Sequence, residues 1–597
     1  MSPEHKLKVL KLQILTVVAA ILELTTIITV APFIVLMSSG QKIEQSIIGK
    51  YFILIFGEIN SFYMTTIISL GLAFILFTSS IFSIITIWKL ALFANHLGAA
   101  IGQKIFLNHI EIDWGDYINV SSSDLTKTIS TEVQRLTVSI LQPLFNLNAK
   151  IIVAASICIG LLIYNPIVAC LGLAIFSMTY YLIFKVVRTR LSHNGKRISL
   201  QQSLRFKLMQ TTFGGMKNLR LSGQTAHALN EFDTSGENLA NAMGANAALI
   251  QTPRYFIETV AIGSVLIAFA VLSLTEPQGA QNILPALSIY AMAAFKLLPA
   301  FQQIYTGIAS VTGNASALHA IRDRLQVQKN STEFLVRDDQ PELKLQIDNN
   351  YSSQPPYIEA RNVSFSYNGT ALKSINDVSF SIRKNESIGI VGPSGSGKST
   401  LVDLISALLQ PTDGDLLYNG HIMSGEAAVN HQRTIGYVPQ YVFLADDTIA
   451  QNIAFGVAPE KIDHEHVKHV ASLAELSQTI SQMPNGLGTN VGDLGSKISG
   501  GQRQRIGIAR ALYGNPDLLI FDEATSALDG ITERHILNSI KTLGKEKSTI
   551  TIAHRLNTIK HCDRILVLNA GEIVAQGTFN QLLEKNELFQ QMAAGAT

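Results

Sequence analysis

The sequence predicts two fused parts: an α-helical membrane domain of six transmembrane helices, followed by an α/β domain of the P-loop type. Three observations carry this. Of 597 residues, 47% are hydrophobic and only 15% charged, well below the roughly 25% charged of soluble domains. The apolar content is concentrated before residue 325, in six stretches long enough to cross a bilayer, which takes about 20 apolar residues each. In the second half, GPSGSGKST at 392–400 lies between an apolar strand, Ser387 to Val391, and a helical run from Ser399 onward.

The spans are predicted at Leu15 to Met37, Met64 to Trp88, Ser139 to Tyr164, Val168 to Val187, Phe256 to Leu274 and Ile283 to Thr306. The first is too long for a signal peptide and lacks a small-residue cleavage site, so it is expected to stay. Long polar segments join the second span to the third and the fourth to the fifth, whereas Asn165-Pro166 alone turns the third into the fourth. The fourth-to-fifth segment carries Arg188, Arg190, Lys196, Arg197, Arg205, Lys207, Lys217 and Arg220. By the positive-inside rule it is cytoplasmic, and the N-terminus and the second domain with it. Between the first two spans, Ile47, Ile48, Tyr51, Phe52, Ile55 and Phe56 form one apolar face, which suits a short helix lying in the outer interface. Residues 1–328 thus read as the membrane domain, 329–356 as a polar linker, and 357–597 as the nucleotide domain.

The string at 392–400 fits G-x-x-x-x-G-K-[ST], with Gly392, Pro393, Ser394, Gly395, Ser396, Gly397, Lys398, Ser399 and Thr400 as its members. Glycines let backbone N–H groups curl around phosphates, the helix N-terminus adds its positive end, and Lys398 reaches the β- and γ-phosphates of ATP. Ser399 is the expected Mg²⁺ ligand. The apolar run Leu518 to Phe521 ends in Asp522-Glu523, placing two carboxylates at the end of a buried strand. Asp522 is suited to hold Mg²⁺, and Glu523 to orient or deprotonate the attacking water.

About a hundred residues after the P-loop, Ile498 to Gln502 read ISGGQ. This resembles the LSGGQ signature of the ABC ATPases, with Ile498 in place of Leu. The resemblance implies further roles. Tyr367 would stack on adenine, Gln440 in GYVPQ would sense Mg²⁺ and the membrane domain, Ser526 to Asp529 would form the D-loop, and His554 would contact the γ-phosphate. Thr489 to Gly495, TNVGDLG, resembles the family's x-loop, with Asp493 replacing the commoner Glu. It also implies that Ser499, Gly500, Gly501 and Gln502 meet ATP on a second subunit's P-loop. One complete set in the chain then implies a homodimer with two equivalent sites. Candidate coupling segments are Trp114-Gly115-Asp116 and Gly214-Gly215-Met216.

Six spans followed by the ATPase resemble an ABC half-transporter of the exporter type. Within that group, ELTTIITVAPFIV around Phe33, QTPRYFIET around Pro253-Arg254, FKLLP at Lys296 to Pro299 and IAHRLNTIKHCDRI resemble the PglK-type flippases. That resemblance implies a bacterial inner-membrane protein moving a polyprenyl-pyrophosphate-linked oligosaccharide outward, with Arg254 and Lys296 lining the cavity. A cation in hydrocarbon costs about 3 kcal/mol on insertion scales, so both are expected to face a cavity or a partner. In the second span this chain has Thr78-Ser79-Ser80 where that group has a further arginine. The alternatives are a lipid A-type, peptide or drug exporter and, from another class, an ATP-gated channel, against which Glu523 and His554 argue. Cys158, Cys170 and Cys562 lack metal spacing and read as inert, and a net charge of +2 points to no nucleic-acid partner.

Overall fold

The computed structural model describes residues 3–38, 61–118, 120–164, 166–260, 262–263, 280–326, 356–370, 372–524, 547–553 and 556–594. Outside them lie Ile43 to Ile59, where the short interfacial helix is predicted, the predicted linker as far as residue 355, most of the predicted fifth span, Ser526 to Asp529 and His554. The chain divides into two compact units. One joins Met1–Ile110 to Val120–Gln328, and the other joins Glu111–Asn119 to Lys329–Thr597.

The first unit is helical. Its long elements are α1 (Pro3–Ser38), α2 (Ser61–Ile110), α3 (Gln142–Tyr164), α4 (Pro166–Gly214), α5 (Thr225–Gln251) and α6 (Ala280–Leu325). Local chemistry sets several ends. Pro166 opens α4, where its missing N–H costs nothing, Gly214-Gly215 closes it, and α5 stops short of Pro253. Five predicted spans fall within helical residues of this unit. Among the described residues, two helices, Thr65–Ile110 and Ser122–Ile163, are long and apolar enough to cross a membrane. Along α2 the outward face carries Ile67, Leu70, Phe74, Phe77, Ile81 and Ile84. In water such a stripe would leave a large apolar patch uncovered, whereas lipid tails solvate it.

Between α2 and α3 the chain runs through π-helical turns at Thr128–Glu132 and Thr137–Leu141, a geometry frequent at functional positions. Glu132 is fully buried there. Its carboxylate accepts from Arg135 Nη1 at 2.8 Å and lies 3.7 Å from Lys127 Nζ. Arg135 also donates to Ser199 of α4 at 2.9 Å and to Asn314 of α6 at 3.2 Å, so one ion pair ties three helices. Removing one partner of such a pair strands the other charge.

The second unit is α/β. Strands β1 (Ile358–Phe365), β2 (Ile375–Ile382), β4 (Asp413–Tyr418) and β5 (His421–Ile422) make an antiparallel sheet in the order β2-β1-β4-β5. The other sheet has the order β10-β9-β3-β8-β7-β6, from β3 (Ser387–Val391), β6 (Ile435–Val438), β7 (Leu518–Asp522), β8 (Ser548–Ile552), β9 (Arg564–Asn569) and β10 (Glu572–Gly577). It is parallel except for β10 on β9. Both faces are covered, and β3 and β7 accordingly read as nearly unbroken apolar runs, whereas β8 is Ser-Thr-Ile-Thr-Ile and is largely buried all the same. The helix after β3, α7 (Lys398–Ile405), is held at its end by His431, whose Nε2–H donates to the Ile405 carbonyl at 2.8 Å.

Two outcomes are expected. Glu132→Ala should destabilise the helical unit by about 3 kcal/mol through the stranded Arg135 charge, read as a lower melting temperature of the detergent-solubilised chain. Burial holds His431 down at about 4, against an ordinary 6.5. Its folded pKa lies below the unfolded one, so the stability it lends is present above pH 6.5 and lost as pH falls toward 4. The loss is roughly 3 kcal/mol. Hydrogen exchange of the β3 amides should show that acid loss, and His431→Gln should flatten it.

Candidate functional site

The register of the parallel sheet builds the candidate nucleotide site. Ile390 of β3 and Asp522 of β7 both pair with Ile552 of the strand between them. The P-loop therefore starts at the same sheet edge at which Asp522-Glu523 emerges, two strand spacings or about 10 Å away. In open α/β sheets this carboxyl edge is where ligands bind. Gly395 and Gly397 have φ of 79° and 98°, conformations that favour glycine. A Cβ at Gly392 would collide with the Leu568 carbonyl, so the loop closes tightly only without one.

Lys398 Nζ donates to the carbonyls of Gly392 and Pro393, each at 2.9 Å, and so is held across the loop. Burial lowers its pKa, while the charges of Glu523 and Asp522 oppose that shift. Pro393, Ser394 and Ser399 are exposed; Ser396 is buried and its hydroxyl has no protein partner. The donor set of Ser399, Gln440 and Asp522 is all oxygen, as Mg²⁺ requires. Tyr367 is half-buried, edge-on to Phe365 at 5.0 Å, with its phenol 3.2 Å from the Thr400 hydroxyl.

Both carboxylates are gripped from β6 and the loop after it. Gln440 Nε2 donates to Glu523 Oε2 at 2.7 Å. Tyr437, which sequence reasoning missed, donates its hydroxyl to Asp522 Oδ2 at 3.1 Å. Burial and the Asp522 charge push the Tyr437 phenol up, so it stays a donor. Glu523 itself has φ of 49°, a left-handed conformation that a glutamate adopts only under constraint.

The signature serves as a helix cap. Ser499 precedes α8 (Gly500–Tyr513) and its hydroxyl accepts from the Gln502 N–H at 3.3 Å, while Gln502 Oε1 accepts from the Ser499 N–H at 2.9 Å. S-G-G-Q is thus a capping box, and Gly500 and Gly501 open the helix. The P-loop helix and the signature helix belong to different apolar clusters of the nucleotide unit, around Leu401 and around Ile506 respectively. The Trp114–Asp116 segment is part of this same unit. Asn368 Nδ2 donates to Asp116 at 3.1 Å, and the Trp114 side chain hydrogen-bonds Asp403 of α7. Burial pushes the Asp403 carboxyl up to about 6. Gly215 instead precedes a short helix, Met216–Leu221, in the helical unit.

In the helical unit the two predicted cavity cations differ. Arg254 is exposed and pairs along its own helix with Glu258 at 2.6 Å. Lys296 of α6 lies 3.6 Å from Glu23 of α1, and Glu23 also lies 3.7 Å from Lys150 of α3. Sequence reasoning singled out neither Glu23 nor Lys150. A lone charge inside a predicted span is a signal for each, but their meeting joins residues far apart in the chain.

The family profile described as ABC transporter matches residues 375–526. The "ATP-dependent lipid A-core flippase" of Cupriavidus metallidurans is 33% identical over 392 residues, 64% of this chain and 62% of the relative's length. The protein of that name from Cupriavidus pinatubonensis is 29% identical over 507 residues, 84% of this chain and 83% of its own. Among solved structures, a bacterial Atm1-family ABC exporter with ATP bound superposes with a TM-score of 0.76, at 22% identity, over 97% of this chain and 98% of that one. Residues 375–526 thus belong to an ATPase domain of the ABC transporter family, joined in one polypeptide to a helical unit, and the chain as a whole has the fold of that exporter.

Proposed function

We propose that the chain works as a homodimer in the bacterial inner membrane, using ATP to move a phosphorylated glycolipid from the inner to the outer leaflet. The observation that carries the cargo class is the Lys150–Glu23–Lys296 cluster: two cations against one anion, on three helices of the membrane unit. Charges at membrane depth persist where they line a cavity or meet a partner, and a surplus of positive charge selects an anionic headgroup. A lipid A-type glycolipid is the first reading, supported by the names of the relatives. The polyprenyl-pyrophosphate oligosaccharide is the second, supported by the PglK-like strings around Phe33, Arg254 and Lys296. Arg254, being exposed beside Glu258, is assigned to the cavity entrance.

ATP would lie along the P-loop of one subunit, with Tyr367 against adenine and Ser499, Gly500 and Gly501 of the other subunit over the γ-phosphate. Mg²⁺, held by Ser399, Asp522 and Gln440, would neutralise charge between the β- and γ-phosphates. Lys398 exchanges its two carbonyl partners for phosphate oxygens. Glu523 takes the proton of the attacking water once Gln440 releases it, and His554 contacts the γ-phosphate. Closure of the two nucleotide domains is coupled to the spans through Trp114–Asp116, which grips Asn368 beside Tyr367 and Asp403 on the P-loop helix.

In proteoliposomes, labelled lipid A should cross the bilayer only with ATP, and Glu523→Gln should reduce that rate at least about a hundredfold. Lys296→Gln should slow phosphorylated cargo while leaving basal ATP hydrolysis in place. Equal flipping of a dephosphorylated lipid would refute the cargo class. Tyr437→Phe should raise the Mg²⁺ concentration needed for half-maximal hydrolysis about fivefold, because Asp522 loses one hydrogen bond worth about 1 kcal/mol. ATP affinity in EDTA, measured with a fluorescent analogue, should stay unchanged.

A further inference from the structure

We propose that Glu23 is a resident counter-ion that occupies the Lys150–Lys296 pair until a phosphate of a lipid headgroup displaces it, and so sets the threshold affinity for anionic cargo. This rests on the phosphorylated-lipid reading above. Each carboxylate oxygen of Glu23 serves one lysine: Oε1 lies 3.6 Å from Lys296 Nζ and Oε2 lies 3.7 Å from Lys150 Nζ. Both separations exceed hydrogen-bond length, so the pairing is Coulombic and exchangeable. A tight, desolvated bridge would be costly to open; this one is loose.

The place of the cluster in the bundle supports exchange. Ala20, one turn before Glu23, Val153, one turn after Lys150, and Ala293, one turn before Lys296, are all buried in one apolar cluster. The three charged side chains therefore lie on the interior-facing stripes of their helices. They keep 21% (Glu23), 27% (Lys150) and 31% (Lys296) of their side-chain surface exposed, so an incoming group can reach them. With one carboxylate to two ammonium groups the cluster carries a net charge of +1. A phosphate satisfies two ammonium groups better than one carboxylate does, through more acceptor oxygens and more charge. Glu23 must then leave the pair, and every anionic ligand competes with it. A neutral or zwitterionic lipid does not outcompete Glu23, which gives selectivity against that part of the bulk membrane.

The test uses the full-length chain in phosphatidylcholine nanodiscs without nucleotide. Binding of lipid A, of its dephosphorylated form and of a polyprenyl pyrophosphate is titrated by native mass spectrometry. Glu23→Gln should bind the phosphorylated lipids at least about fivefold more tightly than the unsubstituted chain, with the dephosphorylated form unaffected. The lipid showing the larger gain identifies the headgroup source. Glu23→Asp, which keeps the charge but shortens its reach, should shift binding the same way to a smaller extent, and serves if the Gln variant does not fold. Unchanged or weaker binding in these variants, with normal binding by the unsubstituted chain, would overturn the counter-ion role and leave the cargo reading standing. Absence of phosphorylated-lipid binding by any form would overturn both.

Discussion

The nucleotide unit depends on the parallel register of β3, β8 and β7. Because Ile390 and Asp522 share Ile552 as a register partner, the P-loop and the carboxylate pair emerge at one sheet edge without any long loop to position them. A one-residue slip would reverse the facing of every side chain on a strand and bury Asp522 or expose Phe521. The apolar runs of β3 and β7, together with the buried Ile550 and Ile552 of β8, oppose that slip. The same edge receives β6, which brings Tyr437 and then Gln440 against those carboxylates.

That arrangement holds the two carboxylates by separate restraints. Asp522 accepts from a phenol that stays protonated, a contact that fixes orientation without removing charge. Glu523 is held by a neutral amide on a flexible side chain, while its own backbone sits in a left-handed conformation. The amide can let go when another acceptor arrives. The strained backbone persists because β7 on one side and the Glu523 N–H bond to the Ile552 carbonyl on the other over-determine it.

Most of the candidate nucleotide site was legible in the sequence because the strings that form it are local. The P-loop, the strand ending in Asp522-Glu523 and the signature are contiguous strings whose residue types follow from the backbone they need. The capping box within Ser499 to Gln502 is equally local, and its spacing could have been recognised. Tyr437 was not legible: in the sequence it is one more aromatic on a strand, and only the β6–β7 pairing sets it beside Asp522. The helical unit shows the same division. Apolar runs reveal helices, but which charge meets which depends on helix rotation and packing. Lys296 was legible as a charge in a span, whereas its partner on α1 was not.

The helical unit handles buried charge in two opposite ways. At Glu132 the carboxylate is fully buried and hydrogen-bonded to an arginine, whose remaining donors go to Ser199 and Asn314. Planar guanidinium with several fixed donors suits a permanent joint between helices. At Glu23 the partners are lysines, the separations exceed 3.5 Å and the group is partly exposed. An ammonium on a flexible stem holds a point charge and no fixed geometry, so it trades one anion for another at little cost. The choice of arginine at one cluster and lysine at the other therefore separates a joint that must not open from a site that must exchange.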